Sequence, residues 1–179
     1  MRLFLILLVV CSTLTAREVE GRQVPGEATL AGQAVPLRGA DMLTWKWVVD
    51  LYVVALYVPV ETADCVAVSP KRLRCEYARN FTREQMVGAT NKTIGRGQTP
   101  EQVAALQTAL TSWNALYPAP AKGDVVDFDH LPGGILVMRL NGTEVGRVTD
   151  EAFARALFAI WIGKEPVKES VRDELIRPR

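Results

Sequence analysis

Lys46, Asp50 and Tyr52 stand at even spacing in TWKWVVDLYVVALYV, residues 44–58. In an extended chain such residues share a face. A cation, a carboxylate and a phenol would then project to one side, among Val48, Val54 and Leu56. That set suits a ligand carboxylate or phenolate. It equally suits a surface Lys46–Asp50 pair with the Tyr52 hydroxyl at a rim, and the residues alone leave both open. Asp129-His130 has the types for acid–base work, but beside Pro132-Gly133-Gly134 it reads as a surface turn. A single histidine excludes a multi-histidine metal centre. Cys65 and Cys75 lie ten positions apart, open to one short-loop bridge or to two separate buried thiols. No base stands beside either, which argues against a catalytic cysteine. The chain has no GxSxG elbow, GxGxxG, Walker loop, HExxH or CxxC. No cofactor is implied.

The elements that would position these groups follow from local signals. Residues 28–38 read as two short strands. Residues 44–58, with no Gly or Pro before Pro59, read as one long strand of strand-forming residues. Its other face, Trp45 to Tyr57 by twos, is apolar and belongs against a core. Residues 61–68 read as a short helix. Residues 71–78 alternate Leu73, Cys75 and Tyr77 with Arg72, Arg74 and Glu76, a half-exposed strand. Thr82-Arg-Glu-Gln85 and Thr99-Pro-Glu-Gln102 are capping boxes that open helices, the second with Pro100 at the first helical position. Residues 124–129 and 135–140 read as strands, and Asn141-Gly142 marks a tight hairpin into 143–148. Thr149 or Asp150 caps a helix whose stripe is Phe153, Ala156, Leu157, Ile160 and Trp161. Gly163 is placed for a left-handed stop. Residues 167–176 form a closing helix. Trp113 and Trp161 lie on helical stripes and read as core. Strands come in runs rather than in alternation with helices. The fold class is α+β, with a mostly antiparallel sheet and helices on one face.

Hydrophobic residues make up 49% of the 179, which suits a single globular domain. Arg2 is the one charge in residues 1–16, so a chain cut after Ala16 is balanced in charge. Balance leaves no electrostatic footprint for DNA, RNA or an anionic membrane. MRLFLILLVVCSTLTA has the form of a secretory signal, with an apolar run too short to span a bilayer. Export to a periplasmic or extracellular space is the expectation, with no membrane span after cleavage. Asn80, Asn91 and Asn141 head glycan-acceptor triplets, relevant only in a host that uses them.

The residues GDVVDFDHLPGG (123–134), LNGTEVG (140–146), FARALFAIWIG (153–163) and Pro166-Val167 resemble, in order and spacing, the bacterial branch of the chalcone isomerase-like proteins. YVVALYVP (52–59) resembles the long strand of that group, and Pro70-Lys-Arg-Leu73 opens a strand as it does there. The resemblance runs from Leu37 to Ile176, leaving 17–36 as a lead-in with short strands. It implies an open-faced β-sandwich, a large antiparallel sheet with a helical layer on one face and a cleft between them. The plant enzymes of the group close a chalcone into a flavanone with an arginine, a strand threonine, and a tyrosine and an asparagine on a helix. Fatty-acid-binding relatives keep the arginine and place a tyrosine on the strand to hold a carboxylate. Carried over, the strand position is Tyr52, as in the binding relatives. Leu43 stands at the arginine's place, Lys46 is the nearest cation, Asn91 matches the helix asparagine, and Glu84 stands where the enzyme has tyrosine.

The expectation is therefore a non-catalytic domain that binds a small apolar or amphipathic molecule, such as a fatty acid. Tyr52 would donate to its acid group, with Lys46 and Asn91 assisting, in a cleft of at least roughly 300 Å³. The alternatives are an isomerase or intramolecular lyase acting on a chalcone-like unsaturated carbonyl compound, and a structural envelope protein with an exposed apolar patch in place of a pocket. Oligomeric state is not legible.

Overall fold

The seven strands of the main sheet follow one another in chain order, each antiparallel to the next. The computed structural model describes residues 16–46, 48–59 and 62–177. Except for Ala16, the leader reading falls outside them, as do Trp47 and Glu61. A small hairpin of β1 (Arg17–Val19) and β2 (Arg22–Val24) comes first. The sheet is β3 (Glu27–Leu30), β4 (Gln33–Trp45), β5 (Val49–Tyr57), β6 (Lys71–Tyr77), β7 (Val125–Leu131), β8 (Ile135–Leu140) and β9 (Thr143–Thr149). The helices are α1 (Arg83–Thr93), α2 (Pro100–Ala105), α3 (Gln107–Leu116), α4 (Glu151–Ile162) and α5 (Glu169–Ile176). The two short strands expected over 28–38 are β3 and the first part of β4, which runs on to Trp45.

Several expectations are met through their stated chemistry. Both capping boxes form, at Thr82 with Gln85 and at Thr99 with Gln102. Asn141 and Gly142 take φ of 51° and 82°, the two left-handed residues of a type I′ turn. Asp150 caps α4 by accepting from the backbone N–H of Phe153.

The main correction concerns residues 44–58. They are not one strand but the end of β4, a turn, and β5. Lys46 takes φ of 50° and reverses the chain. Strand-forming composition does not reveal a turn built without Gly or Asn. Residues 65–67 form a turn rather than a helix. The helix that opens at Thr99 breaks at Leu106 into α2 and α3. Asp129 and His130 are buried within β7 rather than lying in a surface turn. Gly163 is not left-handed (φ −80°). It is small because a β-carbon there would lie 2.6 Å from the carbonyl oxygen of Ala159.

Both faces of the sheet are covered. Val54, Leu56, Leu73, Cys75, Tyr77 and Phe128 pack beneath Trp113, Phe153, Leu157 and Trp161 of the helical layer. On the opposite face Val35, Leu37, Val53, Ala55 and Tyr57 pack with Val19 and Val24 of the small hairpin. Tyr57 donates to the carbonyl of Pro25 there (2.9 Å). The alternation along β5 thus sends Tyr52 to the helical side and Val53 to the other.

Candidate functional site

Tyr52 pairs with Leu43 on β4 and Tyr77 on β6. Its hydroxyl oxygen accepts the indole N–H of Trp161 on α4 (3.0 Å). The Tyr77 ring lies 5.4 Å away, and Phe81 lies 5.3 Å beyond that. Deeper inside, the Tyr117 hydroxyl bonds to Thr90 of α1 (2.6 Å) and accepts from Trp113 (3.2 Å). Burial pushes the phenols of Tyr52 and Tyr77 well above their usual range, and that of Tyr117 up to about 12. All three are neutral at physiological pH. Around these phenols, neutral hydroxyls and indoles form two bonded sets, Tyr52 with Trp161 and Tyr117 with Thr90 and Trp113.

The expected helpers are elsewhere. Lys46, in the β4–β5 turn and not on β5, is exposed with its Nζ 4.6 Å above the Trp45 ring. Asn91 is exposed on the outer side of α1, where its Oδ1 accepts from Asn114 (2.8 Å). The helical period explains this: the residue of α1 that turns inward is Thr90, one position away. Glu84 is exposed, and Leu43 holds the position paired with Tyr52. The structure does not gather the enzyme-like set at one place. Cys65 and Cys75 are free, buried thiols.

The larger openings lie outside the helical layer. A groove of about 780 Å³ runs along the face of α4 opposite to Phe153, Leu157 and Trp161. Ala152, Ala156, Ala159 and Gly163 floor it at helical spacing, small residues that leave room where larger ones would fill it. Leu106, Val66 and Ile176 form apolar walls from three other segments. A second hollow of about 570 Å³ continues past Ile162 and Ile176 to Arg38 and Cys65. Arg96, Arg155, Lys164 and Arg172 stand at the groove with Asp64, Glu165 and Asp173. Arg155 pairs with Glu151 and Arg172 with Asp173, and Arg96 donates to the carbonyl of Pro166. Lys164 is exposed and makes no ion pair among the described residues. Tyr52, Tyr77 and Tyr117 line neither hollow. Trp161 and Tyr77 lie beside the Tyr52 phenol, while both hollows lie away from it, on the far side of α4. Periodicity showed that α4 was amphipathic. It gave no sign that the small-residue face would meet a gap.

A family model described as chalcone isomerase-like matches residues 16–176. The chain belongs to the chalcone isomerase-like family. Fatty-acid-binding protein 2 of Arabidopsis thaliana is 35% identical over 60 residues, which is 34% of this chain and 15% of that protein. The chain therefore spans a small part of that relative. The crystal structure of an Arabidopsis thaliana fatty-acid-binding protein superposes with a TM-score of 0.70 at 15% identity, covering 87% of this chain and 92% of that one. At that identity the likeness shows the fold. This chalcone isomerase-like protein shares the curled antiparallel sheet and its helices with that neighbour. Among the described residues, no helix is long and apolar enough to cross a membrane.

Proposed function

We propose that this chalcone isomerase-like protein binds a small amphipathic ligand of the fatty-acid class without transforming it, in the groove between α2, α4 and α5. The observation that carries the reading is a hollow of about 780 Å³ with an apolar floor and an uncompensated ammonium, Lys164, at its edge. Its size falls within the range of small-molecule sites, roughly 300–1,000 Å³. An acyl chain would lie along Ala156, Ala159 and Ile162, removing apolar surface from water. The acid group would meet Lys164 and the free edge of Arg96. The similarity to fatty-acid-binding proteins supports the ligand class, and the scattered positions of Leu43, Glu84 and Asn91 support binding over catalysis.

The test is titration with dansyl-undecanoic acid and displacement by palmitate. Ala105 is exposed at the groove edge, so Ala105→Trp fills the groove without touching the core. It should weaken binding by about tenfold, a change of about 1.4 kcal/mol. Lys164→Glu should weaken the acid more than the corresponding alcohol. If Tyr52→Phe abolishes binding while Ala105→Trp leaves it intact, the ligand sits under the helices and the groove reading falls. Turnover of a chalcone above the buffer rate would replace binding with catalysis.

A further inference from the structure

We propose that the β4–β5 hairpin tip docks the protein on a lipid surface. Three large apolar side chains are exposed among the described residues, and two of them sit at this tip: Trp45 (56% exposed), the last residue of β4, and Val48 (81%) in the turn. Lys46, between them, sits in the left-handed region with its ammonium over the Trp45 ring. An indole and an aliphatic side chain beside a long-stemmed cation match the chemistry of a bilayer interface. The ring enters the headgroup layer, and the ammonium reaches back to phosphate.

Charge favours this occupant over a second copy of the chain. A two-fold contact brings the same surface of each copy together, so a tip-to-tip dimer would set Lys46 against Lys46. Lipid phosphates complement that charge instead. The charges placed beside the tip are mixed, with Lys168 against Asp50 at Thr44. Docking is therefore led by apolar insertion, with a smaller electrostatic share, and is weak and reversible. Lys168, just before α5, donates to Thr44 next to Trp45 (3.0 Å), which ties the tip to the helical layer. The docking does not rest on the groove reading, and its test does not use the groove.

The full chain is mixed with phosphatidylcholine vesicles, with and without phosphatidylglycerol, whose acyl chains carry bromine. Bromine quenches indole emission on contact. Trp113 and Trp161 are buried in the protein, so quenching reports the tip. The expected result is quenching on both vesicle types, somewhat stronger with phosphatidylglycerol. Lys46→Glu combined with Val48→Asp should reduce it by about tenfold. Both positions are exposed, so the fold is retained, and an unchanged urea-unfolding midpoint checks that it is. Absence of quenching in the unaltered chain, or equal quenching in the double variant, would overturn the proposal. So would a concentration-dependent dimer abolished by the double variant, which would assign the tip to a second copy.

Discussion

Consecutive residues of β6 send two cations to opposite faces of the same sheet, and the two are neutralised by different means. Lys71 points under the helices, and Arg72 points to the other side. Their partners across the ladder are His130 and Asp129. Lys71 is fully buried and is held without a carboxylate: its ammonium donates to the carbonyls of Val66 (2.5 Å) and Val68 (2.8 Å) and lies 4.7 Å above the Phe158 ring. Arg72 grips Asp129 through two parallel bonds (2.5 and 2.8 Å), and Arg139 reaches the same carboxylate (3.1 Å). Asp127, also buried, has only longer contacts to Arg74 (3.4 Å) and Arg72 (3.9 Å). One charge is solvated by backbone dipoles, the others by each other. The first arrangement fixes a connection, residues 62–70, whose Val66 walls the groove. The second fixes strand register.

The sharpest way to break the comparison is to remove one ionic partner. Arg72→Met leaves the buried Asp129 with Arg139 alone, and should cost about 3–5 kcal/mol in urea unfolding. Adding Asp129→Leu should return most of that loss, since a hydrophobic pair replaces an ionic one with little penalty. Lys71→Met should cost less, about 1–3 kcal/mol, because it strands two carbonyls but also removes a desolvated charge. If the order of these two losses were reversed, backbone solvation would be the stronger device.

The two faces also differ in pH response. Burial, then Lys71, depresses the His130 pKa below 6.5. The unfolded chain then binds more protons between that depressed value and 6.5, so stability falls as pH drops through this window. Burial also lowers the Lys71 pKa to about 8 from 10.5, so stability should rise between those values on the alkaline side. Thermal unfolding at pH 5, 7 and 9 should show both trends, and Lys71→Met should remove the alkaline one. Asp127 runs the other way. Burial raises its pKa above 3.8, so its contribution weakens as pH rises through the raised value. The smallest effect expected is from the neutral interior. Tyr52→Phe removes the acceptor for Trp161 and should cost about 1 kcal/mol, with no change in pH slope.

The elements set by contiguous residues were legible in advance. A capping box needs four positions and a type I′ turn needs two, so Thr82, Thr99 and Asn141 could be read without knowing what packs on them. The β4–β5 turn was hidden because Lys46 carries no turn signature. The expectation that Lys46 and Tyr52 share a face failed with it. Asn91 matches a family position, but α1 turns Thr90 inward instead. His130 reads as a turn residue because nothing local distinguishes a buried histidine from an exposed one.

The order of residues thus determined the class of fold, most helix starts and the hairpins, and carried the family resemblance, because each rests on hydrogen bonds and periodicities closed within a few positions. The three-dimensional packing decided where empty space remains. Trp161 reaches across from α4 to Tyr52, while the small face of the same helix, walled by Val66, Leu106 and Ile176 from other segments of the chain, is left open. A gap is a difference between many side-chain volumes brought together from distant parts of the chain, and no local pattern encodes it.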